Sequence, residues 1–127
     1  YAHPAMLWEE MRTFSDNVSA VVVEEKCTEA DEEAVRRRMG EADVIVATSY
    51  YNYRSHAIML PFLEELKRSG KPIVIVANTP FRAFGVPAGV AAALVTFCPS
   101  GRENIRAVAE AIFGKFTPTA RIPVSCS

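Results

Sequence analysis

A chain of 127 residues is about one domain long, enough to bury a real core and too short for a barrel enzyme plus an accessory domain. Half of its residues are hydrophobic and its net charge is only -1, a balance that excludes a disordered chain, a basic nucleic-acid footprint and a polybasic membrane contact. The apolar runs fall well short of the ~20 residues of a membrane span, and no basic start followed by a continuous apolar stretch marks a signal peptide. The compartment is not written in the sequence. Cys27, Cys98 and Cys126 are odd in number and widely spaced, with no C-x-x-C pair and no nearby His. That argues against a disulfide framework and against zinc, and reads as ordinary packing residues. The whole of 1–127 reads as a single α/β domain; because the chain opens on Tyr1 rather than Met, it is expected to be a fragment of a larger two-domain chain.

In chain order, Leu7, Met11 and Phe14 predict a short helix after Pro4. In a doubly wound domain such a helix follows a strand, which is expected to lie before Tyr1. Residues 18–23 are a short apolar run and read as a strand. Thr28 with Asp31 three residues on is a capping box, and Ala34, Val35 and Met39 supply an apolar stripe for a helix that Gly40 is expected to end. A second strand is expected over 43–47. Met59, Phe62, Leu63 and Leu66 then fall at i, i+3, i+4 and i+7, with Pro61 near the helix start and Gly70-Lys71-Pro72 as its stop. Further strands are expected over 73–77 and 92–97. The last helix carries Ile105, Val108, Ala109, Ile112 and Phe113 on one face, opened by Ser100-Gly101 and closed by Gly114. Pro123 places a final segment, 122–126, at a sheet edge.

Short, nearly continuous apolar runs alternating with helical periods spell a parallel sheet covered on both faces. The expected architecture is therefore a three-layer α/β/α sandwich, flavodoxin-like, with four parallel strands joined by right-handed crossovers and an edge strand at the C-terminus.

In an open α/β sheet, ligands bind beyond the carboxyl ends of the strands, so chemistry is confined to 48–56, 78–89 and 98–103. The first, T-S-Y-Y-N-Y-R-S-H, is dense in aromatic and hydrogen-bonding groups of the kind that stack on sugar rings and read hydroxyls. The same tyrosines, Tyr50, Tyr51 and Tyr53, equally suit a cover over the sheet's end or a contact with a neighbouring domain. The second, N-T-P-F-R-A-F-G-V-P-A-G, is long for an α/β connection and exposes Phe81, Arg82 and Phe84 unless something covers them, which reads as an interface. Neither G-x-G-x-x-G nor G-x-x-x-x-G-K-[ST] follows any strand, so dinucleotide and P-loop readings fail and no cofactor is called for. Ser49 and His56 share a loop, but there is no G-x-S-x-G and no acid beside them. Glycoside hydrolysis needs two carboxyl groups or one with a substitute acid. The first two loops contain no Asp or Glu; Glu103 in the third reads as a first-turn glutamate suited to the helix dipole. The residues present no catalytic set.

The tail A-I-F-G-K-F-T-P-T-A-R-I-P-V, residues 111–124, resembles a signature of the second, C-terminal domain of family 3 glycoside hydrolases, especially the β-N-acetylhexosaminidase-like branch. There a helix ends in leucine-phenylalanine-glycine-glutamate, followed by proline and a lysine-leucine-proline-valine strand. Lys115 stands where the family usually has an acid, and Ala120-Arg121-Ile122 replaces glycine-lysine-leucine. From Asp43 onward, D-V-I-V-A-T-S-Y, S-G-K-P-I-V-I-V-A-N-T-P-F and A-A-L-V-T-F resemble further family strands and turns in the same order, over roughly two-thirds of the chain.

The resemblance implies a parent glycosidase acting on N-acetylglucosamine-containing sugars. A separate barrel on the N-terminal side carries its nucleophilic aspartate and, in this branch, an aspartate-histidine acid/base pair. No catalytic residue carries over to this chain. What carries over is a role for the strand-end loops in packing on that barrel and edging its sugar pocket, with Ser49, Tyr50, Asn52, Tyr53, Arg54, Asn78, Phe81 and Arg82 as interface or sugar-contacting residues. The barrel domain and a carbohydrate are then the expected partners, and nucleic acid and membrane are not. The alternative is a stand-alone flavodoxin-like module binding a small polar ligand or a partner protein. A third reading, an autonomous hydrolase built on Ser49 and His56, is kept for testing.

Overall fold

The computed structural model of the chain describes residues 3–21, 28–49, 60–77, 89–96 and 101–120. In order they form α1 (His3–Arg12), α2 (Glu29–Glu41), β1 (Ile45–Ser49), α3 (Leu60–Arg68), β2 (Ile73–Ala77), β3 (Ala92–Val95) and α4 (Arg102–Ile112). The strands make one three-stranded sheet in the order β1-β2-β3, parallel throughout.

Strand alternation assigns the two faces of the sheet. On one, Ile73, Ile75 and Ala77 of β2 and Ala47 of β1 join Leu66 of α3, with Val35 and Met39 of α2 packed against them. On the other, Val76 joins Leu7 and Met11 of α1 and Ile105, Val108 and Ala109 of α4, with Val46 and Leu94 alongside. The expected three-layer α/β/α arrangement is therefore present, with α2 and α3 behind the sheet and α1 and α4 in front. Ile75, Val76 and Ile105 are completely enclosed or nearly so and mark the centre of this core.

The helix signals worked through local chemistry. Thr28 caps α2: its Oγ accepts from the Asp31 N–H at 3.2 Å, while the Thr28 N–H donates to the Asp31 carboxylate at 2.9 Å. The Thr28 N–H first, and second the Thr28 hydroxyl, which donates to the same carboxylate at 2.9 Å, hold the Asp31 carboxyl below its ordinary range. At the far end of α4, Gly114 takes φ +72° so that the N–H groups of Gly114 and Lys115 reach back to the carbonyls of Ala111 and Glu110. That is a Schellman stop, which requires a left-handed residue and so a glycine.

Three expectations are corrected. Gly40 does not end α2, which continues to Glu41 and leaves through Ala42 in an extended conformation. No left-handed residue is needed there, because Lys71 reaches from the α3–β2 connection and donates to the carbonyls of Met39 and Gly40 at 2.6 and 3.0 Å. β1 lies two residues later than the expected 43–47, since its ladder starts where the Ile45 N–H meets the Pro72 carbonyl, leaving Val44 half exposed outside it. Of the expected strand 18–23, residues 18–21 carry no strand pairing, although Val18 packs against the front cluster; residues 22 and 23 lie outside the described residues. The expected edge strand 122–126 and the end of the expected strand 92–97 also lie outside them, β3 being described as Ala92–Val95.

Candidate functional site

A parallel sheet gathers all its carboxyl ends at one edge. Ser49 is the register partner of Ala77, and Ala77 that of Val95, so the chain leaves three adjacent strands side by side. Ser49 is the last residue of β1, and its backbone alone is described. Tyr50, Asn52, Tyr53, Arg54 and His56, which follow β1, and Asn78, Phe81 and Arg82, which follow β2, lie outside the described residues.

The third contributor to this edge is the start of α4. Gly101 occupies the N-cap in an extended conformation and supplies no side-chain cap, and Glu103 is exposed in the first turn, where its charge suits the helix dipole. Arg102 sits beside it in the position least suited to that dipole, and the structure shows what offsets this. Its guanidinium donates to Glu10 at 3.0 Å and to Glu9 at 3.3 Å, both on α1. These hydrogen bonds, Glu10 first, raise the Arg102 pKa further above its ordinary value. One turn on, Arg106 approaches the second Glu10 oxygen at 3.7 Å and pairs with Glu110 at 3.2 Å. Glu10 is only 7 % exposed and each of its oxygens faces an arginine of α4, so it clamps α1 to α4.

This clamp was not singled out from sequence. The signal available was the spacing of Arg102 and Arg106, one helical turn apart, with Glu9-Glu10 in another helix; nothing local says that the two helices are neighbours. Phe14 stacked on Phe113 at 5.3 Å, with the Lys115 ammonium 5.6 Å from the Phe14 ring, closes the same interface at its other end.

Elsewhere on α1, Trp8, Glu9, Arg12, Thr13 and Asp16 line an open depression of about 380 Å³. The Trp8 indole N–H is taken by the Val18 carbonyl at 3.3 Å, and the Arg12 guanidinium lies 5.3 Å over the Trp8 ring. The aromatic face is thus already occupied by a cation from its own helix. Among the described residues no cluster of three His, Cys, Asp or Glu side chains could hold a metal ion, and no helix is long and apolar enough to cross a membrane.

No family model, no curated protein and no solved structure matches the chain.

Proposed function

We propose that this chain is the non-catalytic C-terminal domain of a family 3 type glycoside hydrolase, of the β-N-acetylglucosaminidase-like kind, that packs on a catalytic barrel through the carboxyl end of its sheet. The observation that carries the reading is the register of Ser49 with Ala77. The two strands whose motifs bear the resemblance are adjacent and parallel, so the aromatic and polar segments that follow them start from one edge of the domain. Near α4's first turn, Glu9 and Glu10 are held by Arg102, and Glu103 is exposed.

Sequencing upstream of Tyr1 tests this directly: a barrel bearing a nucleophilic aspartate is the expected result, and an upstream region without one refutes the reading. The isolated chain is expected to show no turnover of a chromogenic N-acetylglucosaminide. Robust activity abolished by replacing Glu103 or His56 would place catalysis inside this domain and overturn the proposal.

A further inference from the structure

We propose that α2 is a strap over the back of the sheet: it opens and recloses as a unit of its own while the sheet and the front layer stay folded, and Lys71 is the latch that holds it shut. The proposal rests on packing and does not depend on the glycosidase reading.

The helices are not held equally. On the front, α1 gives Leu7 and Met11 to the core, and α4 gives Ile105, Val108 and Ala109. On the back, α3 gives Leu66, which is 5 % exposed. None of the 13 residues of α2 is buried. Among the described residues its apolar hold on the sheet is Val35 and Met39, both half-buried against the cluster of Ala47, Ile73 and Ile75. A helix of this length is marginal in water by itself and draws most of its stability from packing an apolar face, so α2 has the weakest support of the helices in this core.

Local chemistry keeps α2 wound without tying it to the sheet. Thr28 and Asp31 close its start, Glu29, Asp31 and Glu32 fall in its first turn and Arg38 in its last, as the helix dipole favours. Gly40, inside the last turn, works against it. Two polar contacts do tie it. Arg36 bonds to Glu65 of α3, but its guanidinium is more than half exposed, where water screens an ion pair. Lys71 is half-buried and donates to the Met39 and Gly40 carbonyls at 2.6 and 3.0 Å, two of the groups that a helix end leaves without a donor of its own. The stronger tie is therefore the lysine.

The place of the strap gives its opening a consequence. Lys71 immediately precedes Pro72 and β2, so α2 ends at the amino end of the sheet. At ~1.5 Å per residue its first turn then stands about 20 Å away, level with the carboxyl end where Ser49 and Ala77 lie side by side. Opening lifts Val35 and Met39 from the back cluster and withdraws the carboxylates of Glu29, Asp31 and Glu32 from that end. Leu66 keeps α3 seated meanwhile, and the ladder between β1 and β2 persists. α2 is thus a movable wall at the level of the candidate edge.

Native-state amide hydrogen exchange on the 127-residue protein, corrected for intrinsic rates, is the test. The amides of residues 35–39 are expected to exchange together and roughly a hundredfold or more faster than that of Val76. Ile105→Ala then decides whether their opening is local. It weakens the front layer, so Val76, which is reached only by global unfolding, should exchange about a hundredfold faster, whereas the amides of α2, whose opening leaves residue 105 packed, should keep their rates. Val108→Ala puts the same question with a smaller effect on Val76, about tenfold, if the first variant does not fold. Lys71→Met removes the latch and is expected to speed the amides of α2 by about tenfold. Gly40→Ala adds a methyl group that meets nothing within 4 Å and should slow them by about two- to fivefold. Amides of α2 as slow as Val76, or accelerated by Ile105→Ala as much as Val76, would show that α2 opens only with the whole domain and would overturn the proposal. Rates that respond to neither Lys71→Met nor Gly40→Ala overturn it as well.

Discussion

Ile105 is where the front layer is most exposed to a single substitution. It is fully enclosed at the centre of the cluster that joins α1 and α4 to Val76 of β2. Ile105→Ala removes three buried carbons, about 2.4 kcal/mol of transfer free energy at ~0.8 kcal/mol each. The surroundings are two helices and a strand held on both sides, so they collapse only partly into the space, and the cavity raises the cost to about 3–4 kcal/mol. Val44→Ala is the matched control: Val44 is 53 % exposed outside the ladder, so its truncation is expected to stay within about 0.5 kcal/mol. Urea unfolding followed by far-ultraviolet circular dichroism measures both, and the Ile105 variant should shift its midpoint without changing the slope. Pairing it with Leu7→Ala should give less than the sum of the two, because both residues line the same cavity. A cost below about 1 kcal/mol for Ile105→Ala, or strict additivity with Leu7→Ala, would show that α4 is not seated between α1 and β2 as described.

Lys71→Met keeps most of the side-chain volume and removes the ammonium from the carbonyls of Met39 and Gly40, leaving the end of α2 to water. A loss of about 1–2 kcal/mol is expected in urea unfolding, and an unchanged midpoint would mean that the lysine is incidental to the helix end. Thr28→Ala should cost about 1 kcal/mol at neutral pH through loss of the N-cap. The Asp31 pKa is depressed in the folded state, so its contribution is present above the unfolded value and lost as the pH falls through the folded one. The Thr28 hydroxyl donates to that carboxylate at 2.9 Å, a bond that Thr28→Ala removes, so the gap between the variant and the parent protein should narrow below about pH 4, and a gap constant from pH 7 to pH 2 would rule out the hydroxyl–carboxylate bond.

Much of the fold was legible because its signals are local. The Thr28-Asp31 pair is read within four residues, and the glycine at 114 within the last turn of its own helix. β2 is a continuous Ile-Val-Ile-Val-Ala run because both of its faces are buried, and its bounds match the sequence reading. Where the reading slipped, the deciding partner was distant. Gly40 has the composition of a helix stop, but Lys71, about thirty residues on, supplies the cap and lets the helix run past it. The start of β1 depends on where Pro72 sits in the next strand, a fact of register that no window around residue 43 contains. Residues 18–21 have strand composition, but a strand exists only with a ladder partner, and composition cannot supply one.

The chemistry of the candidate edge was legible only as a list of residue types. Tyr, Asn, Phe and Arg in strand-end segments suit a sugar platform and a domain contact for the same physical reason, a flat apolar face with a polar tip. Arg102 narrows the choice. A cation in the first turn of α4, beside an N-terminus without a side-chain cap, would read on its own as an anion site. The structure commits that cation to Glu9 and Glu10, one of them nearly buried, and leaves the exposed carboxylate of Glu103 at the helix start. Among the described residues, the guanidinium at this corner is therefore already paired within the domain, and an anion could take Arg102 only by breaking the clamp between α1 and α4.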